Sequence, residues 1–175
     1  MTNQFAIEAY IENNYSYESK NHHSIDRSLI DAIPWEKWLK IWLTDSIASL
    51  PQANIYELSL RLTGDREIAA LNSQYRQKSQ PTDVLAFAAL ESSLIVPVEL
   101  TQSLYLGDIV ISLDTAYQQA LEQKHSLVTE LAWLASHGLL HLIGWDHPDD
   151  DSLNKMLQKQ AKLLKLVEII SKVSV

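Results

Sequence analysis

Apolar positions recur along the chain with two distinct periods. In IYELSLRLTG, Tyr56, Leu58, Leu60 and Leu62 alternate with Ile55, Glu57, Ser59 and Arg61, the period-two pattern of a strand. Ahead of it, IPWEKWLKIWLTDSIASLP sets Trp35, Trp38, Trp42 and Ile47 at helical spacing, with Pro34 in the first turn and Pro51 closing the helix. The tryptophan stripe reads as core packing, with a binding surface as the alternative. Behind the strand, DREIAALNSQYR carries Ile68, Leu71 and Tyr75 at helical spacing, and Asp65 is the expected N-cap.

The rest of the chain continues the alternation of types. PTDVLAFAA is a short apolar run after a proline, hence a strand. Ile109 to Ser112 form another strand, followed by a helix begun near Asp114. LVTELAWLASHGLLHLIG is a long apolar helix, and Asp149 to Asp151 sit at the positive end of a capped C-terminal helix. At the N-terminus, Phe5, Ile7, Tyr10 and Ile11 suit a first strand, and Asn13 to Ser24 read as a loop or mobile arm. His22 and His23 in that arm are adjacent, so a regular element cannot turn both toward one ion, and they read as solvated. The pattern predicts an α/β (α+β) fold with a small mixed β-sheet packed with helices. Residues 1–175 are expected to form a single domain, with 1–30 a strand plus a mobile loop.

Composition narrows the chemistry. With 46% apolar and 21% charged residues the chain has the balance of an ordinary globular protein. It has no cysteine, which excludes disulfide partners and thiolate metal sites and leaves N and O donors only. No basic stretch with a long apolar run opens the chain and no run is long enough to span a bilayer, so a cytoplasmic protein without a membrane partner is expected. A net charge of -8 repels nucleic acid at long range, so any contact with RNA requires locally gathered positive charge.

The densest chemical signal is HGLLHLIGWDH, residues 137–147. His137 and His141 are one helical turn apart and leave the same face. Gly144 can end the helix at positive φ, and Pro148 biases His147 away from helical geometry. His147 can thus return from a loop to the ion held by the other two. Three neutral nitrogens leave a tetrahedral zinc one ligand short, the pattern of a catalytic rather than a structural site. An ion with an open position lowers the pKa of its bound water to about 7. One Zn2+ per chain is expected, with other divalent metals able to compete. The spacing also matches the zinc-peptidase pattern H-E-x-x-H-x-x-G-x-x-H, except that Gly138 stands where the peptidase carries its glutamate base. Metal-assisted hydrolysis survives that difference, whereas peptidase chemistry of that kind loses its base.

The same block resembles the signature H-G-x-L-H-L-x-G-[YW]-D-H of the YbeY family, bacterial metal-dependent endoribonucleases implicated in rRNA maturation. LNSQYRQKSQPTDVLAF and LGDIVIS are similar to two further family blocks, in family order, over roughly residues 55 to 165. Ser79 and Ala86 depart from the usual Asp and Ser, and both changes are expected to weaken local polar contacts. The resemblance implies metal ligands His137, His141 and His147 and a functional arginine at Arg76. It also implies an endoribonuclease acting on single-stranded rRNA, with the ribosome or its proteins as partners, in 16S rRNA 3′-end maturation and ribosome quality control. An arginine suits that role because its guanidinium can grip a phosphate through two parallel hydrogen bonds.

Further candidates surround this core. Lys78, Arg61 and Arg66 are either solvated charges or contacts to an RNA backbone. Asp83 and Asp108 recur in the resembling blocks, and strand-edge or turn roles suit them equally well. Glu130, two helical turns before His137, either orients that ring or forms an ordinary surface pair. Asp146 is a candidate proton acceptor beside the cluster. Two alternatives remain open at this point, a hydrolase of peptides or small molecules and a non-catalytic ribosome-assembly protein.

Overall fold

The computed structural model describes residues 5–17, 25–90 and 102–169. Four strands form one sheet: β1 (Ala6–Asn13), β2 (Ile55–Thr63), β3 (Val84–Ala88) and β4 (Ser103–Ser112), in the order β1-β2-β4-β3. β1 runs parallel to β2 and β2 to β4, while β3 closes the far edge antiparallel to β4. Among the described residues six α-helices accompany it: α1 (Arg27–Asp31), α2 (Trp35–Ser46), α3 (Asp65–Arg76), α4 (Leu113–Gln123), α5 (Leu127–Leu142) and α6 (Asp150–Leu166). This is the mixed sheet with packed helices that the alternation of periods implies.

The two faces of the sheet are covered unequally. Tyr56, Leu58, Leu60 and Leu62 of β2, with Leu106, Ile109 and Ile111 of β4, pack into one core with α2, α4, α5 and α6. On the other face α3 covers a smaller patch, with Ile68 and Leu71 over Leu85, Phe87 and Val110. The tryptophan stripe is core: Trp35 and Trp38 are buried, and Trp42 is fully so. The indole N–H of Trp42 donates to the carbonyl of Leu163 at 2.8 Å, which satisfies its polar edge and pins α2 to α6. Lys159 and Lys162 of α6 close on Asp45 of α2 at 2.7 and 2.6 Å.

Several boundaries differ from the periodic reading. β4 starts at Ser103, well before Ile109, because a bulge interrupts it: Glu57 pairs with Tyr105, but Leu58 pairs with Gly107. The extra residue shifts the alternation by one, so Leu104 and Leu106 share a face with Ile109 and Ile111 although the spacing breaks between them. Asp65 does not cap α3. The N-cap is Gly64, and the carboxylate of Asp114 accepts from the amide of Asp65 at 2.9 Å. Asp65 instead accepts from the hydroxyls of Ser112 and Thr115 at 2.6 and 2.7 Å. Ser112 caps α4, and Asp149 with Ser152 forms a capping box at α6. The arm after β1 is tied at its start, where the Tyr15 hydroxyl donates to Asp114 at 2.8 Å. α1 escapes the periodic reading because a five-residue helix has too few turns to show a period. His22 and His23 lie outside the described residues.

Candidate metal centre

α5 is the helix that builds the site. Ser126 caps it, accepting from the amide of Thr129, and most of its length is buried between β3, β4, α4 and α6. Gly138 sets how near it lies to the sheet. A Cβ there would stand 2.8 Å from Cγ2 and 3.2 Å from Cγ1 of Ile109. The position that holds a glutamate base in zinc peptidases therefore faces the core, and a carboxylate has no room there. Gly138→Ala is expected to destabilise by about 1 kcal/mol, the overpacking of roughly 1–3 kcal/mol being partly offset by the helix preference of alanine. Urea unfolding midpoints would measure this, and unchanged stability would show that Ile109 moves aside freely.

His137 and His141 emerge beyond that contact with their Nε2 atoms 3.0 Å apart. Gly144, at φ 97°, then reverses the chain, and Trp145 donates back to the carbonyl of Leu140 at 2.9 Å. His147 returns to the pair, with ring centroids 5.5 Å from His137 and 5.2 Å from His141. One nitrogen from each ring lies within 4.8 Å of the others. Among the described residues this is the one group of three or more metal-type side chains that close. Four-coordinate zinc with bonds of about 2.0–2.1 Å holds its nitrogens roughly 3.3 Å apart, so the rings are within a small adjustment of that geometry. Burial pushes the pKa of His137 down, and burial with the neighbouring His137 and His147 pushes His141 down. Both are thereby favoured in the neutral form, the form that offers a lone pair to an ion.

The imidazole of His137 is held from outside by a residue with no local sequence signal. Gln160, fully buried on α6, sets its Oε1 3.1 Å from His137 Nδ1. Glu130 does not take that place. Buried on α5, it bonds Nε2 of His125 across the turn from α4, so it is neither the partner of His137 nor a surface pair. Burial raises the pKa of Glu130, with His125 opposing. Asp83, at the start of β3, accepts from the Val84 amide at 2.7 Å and from Gln119 at 3.0 Å. Its charge is among those that act on His137 and Glu130. Asp146 is exposed, and its Oδ1 accepts from the His147 amide at 2.8 Å, which shapes the returning loop.

The remaining candidates lie outside the three-histidine cluster itself. Asp108 precedes Ile109 on β4 and so faces the opposite side of the sheet, where Ser59 and Tyr105 donate to it, Tyr105 at 2.7 Å. It lines a cavity of about 300 Å3 with Arg61, Tyr75 and Phe87, away from α5. Arg61 is occupied by Glu12 and Glu67 at 3.0 and 3.1 Å. Arg66 is exposed on α3. Arg76 ends α3, and Gln77 follows in the left-handed region at φ 58°, turning the chain toward β3. Arg76 and Lys78 are exposed, and no side-chain hydrogen bond or ion pair engages either among the described residues. Ser79 retains a polar contact, its hydroxyl lying 3.1 Å from that of Ser73, and Ala86 packs against the core.

The chain is similar to known proteins of one family. Residues 19–168 match the family model described as endoribonuclease YbeY. A protein of that name from Picosynechococcus is 58% identical over 137 residues, 78% of this chain and 84% of its own length. The Trichormus variabilis protein of that name is 57% identical over 143 residues, 81% of each. The one from Synechocystis is 46% identical over 167 residues, 94% of this chain and 92% of its own. The solution structure of TM1509 from Thermotoga maritima shares the fold, with a TM-score of 0.52 at 24% identity over 91% of this chain and 89% of its own.

Proposed function

The chain belongs to the endoribonuclease YbeY family, hydrolases that cleave RNA, and from that premise we propose a zinc-dependent, single-strand-specific enzyme acting in 16S rRNA 3′-end maturation and ribosome quality control. The observation that carries the reading is the convergence of three imidazoles, from a helix and a glycine-turned loop, with their nitrogens within 4.8 Å. The donor set suits zinc: three nitrogens, neutral where burial acts, and an incomplete tetrahedron. When bound, the ion supplies Lewis acidity toward a phosphate oxygen and toward water.

The chain's own residues do the rest. His137, His141 and His147 bring no negative charge, so the site keeps its attraction for an RNA phosphate. Arg76 grips the scissile phosphate and stabilises the charge that builds in the transition state. Its guanidinium is free for this because no carboxylate among the described residues engages it. Lys78, two residues on, steers the backbone. Asp146, beside His147, is the proposed proton acceptor, since Gly138 offers no base. With a net charge of -8, long-range attraction to RNA is weak, so contacts with ribosomal proteins in the cytoplasm recruit the substrate.

Arg76→Ala is expected to lower kcat on single-stranded rRNA fragments by roughly 10²–10³-fold while leaving one zinc per chain. Arg76→Lys recovers only part of this, because a point charge cannot make the paired contact. Cleavage assays with parallel elemental analysis check both. Wild-type rates in Arg76→Ala would remove Arg76 from the reaction.

A further inference from the structure

We infer that Gln160 is a positioning residue that selects which nitrogen His137 turns toward the other two histidines. The backbone carbonyl beside Gln160 can only accept. The carbonyl of Trp133 receives the Gln160 Nε2–H at 3.3 Å and the Ser136 hydroxyl at 2.8 Å. That contact fixes the orientation of the amide, since the reversed form would set oxygen against oxygen. Oε1 of Gln160 is therefore the atom facing His137 Nδ1 at 3.1 Å. An amide oxygen also only accepts, so the ring proton of neutral His137 sits on Nδ1. Nε2 then carries the lone pair, and it is the atom that faces Nε2 of His141.

The arrangement has the logic of a ligand held from behind, in which the nitrogen away from the ion donates to a fixed acceptor. Here the acceptor is a neutral amide brought from another helix, 23 residues away in sequence. Gln160 is fully buried, so water does not compete for either bond. The packing of α6 against α5 thereby sets the chemistry of His137. Free histidine side chains prefer the opposite tautomer, with the proton on Nε2, so without Gln160 the ring would tend to present a proton to the cluster.

This inference rests on the reading of the cluster as a zinc centre for its effect on affinity, but not for the tautomer. The first measurement is nitrogen NMR of the histidine rings in metal-free full-length protein at about pH 8. Wild type is expected to show His137 protonated on Nδ1, and Gln160→Met to move it toward the Nε2–H form. The second is zinc affinity by competition with a chelator. Gln160→Met is expected to bind roughly 10–100-fold more weakly, while Gln160→Glu recovers most of the loss, because burial keeps its carboxyl neutral, so that the hydroxyl donates to the Trp133 carbonyl and the other oxygen still accepts from His137 Nδ1–H. An Nε2–H His137 in wild type would overturn the inference. So would wild-type affinity in Gln160→Met, or equal losses in the Met and Glu variants, which would mark a packing role alone. If wild type itself takes up no zinc, the zinc-centre reading fails, and the tautomer measurement still decides the role of Gln160.

Discussion

Replacing His141 with alanine is expected to abolish stoichiometric zinc binding and to lower RNA cleavage by about 10³-fold or more. The magnitude follows from the several kcal/mol that a bound ion contributes to stabilising transition-state charge, at 1.36 kcal/mol for each factor of ten. His141 is the middle member of the cluster, one turn from His137 and facing it at 3.0 Å. Its loss leaves two nitrogens that chelate poorly. The fold should survive, because His141 is only partly buried. Thermal melting of the variant beside the wild type separates loss of the ion from loss of structure. A variant with full zinc content and full cleavage, in a preparation free of contaminating nuclease, would sink the assignment. His147→Ala should behave similarly and shows whether the loop ligand is required.

Gly107→Ala should produce the largest loss of stability, about 3 kcal/mol or more. Gly107 lies in the bulge of β4 at φ 132°, where side chains are strongly disfavoured. A Cβ there would also stand 2.0 Å from the carbonyl oxygen of Phe87 on the neighbouring strand. The obstacle is backbone rather than a movable side chain, so β3 and β4 would have to separate. For a chain of this length that corresponds to a fall in Tm of roughly 6–12 °C. Gly144→Ala is the internal control. It shares a positive φ of 97°, but its Cβ meets nothing within 4 Å. It should lose only about 1 kcal/mol, the cost of the left-handed backbone. If both variants unfold at the same denaturant concentration, crowding at Gly107 is not what the bulge requires.

The elements legible in the sequence are those whose period runs unbroken. β2 shows one buried face of four side chains, and α3 and α5 begin and end where their spacing does. The three histidines were readable for the same reason. Two sit one turn apart, and a glycine with a following proline announces the returning loop. β4 was only half legible, because the bulge at Gly107 shifts the alternation that marks a strand. Asp65 was misread as a cap because the true acceptor, Asp114, lies 49 residues away in sequence. Glu130 has the right helical offset to reach His137, yet it is drawn to His125 across the turn before its helix.

The sequence by itself thus determined the alternation of strands and helices, the absence of thiol chemistry and a three-histidine block without a peptidase base. Each of these depends on residue type and on neighbours within a few turns. The tertiary structure alone decided why Gly138 is glycine, which side of the sheet Asp108 occupies and which residue holds His137 from behind. Those answers depend on Ile109, on the β4 register and on Gln160, all distant in the chain. They come together only when burial of the apolar faces brings α6 and the sheet against α5, and the polar groups caught between must find partners there.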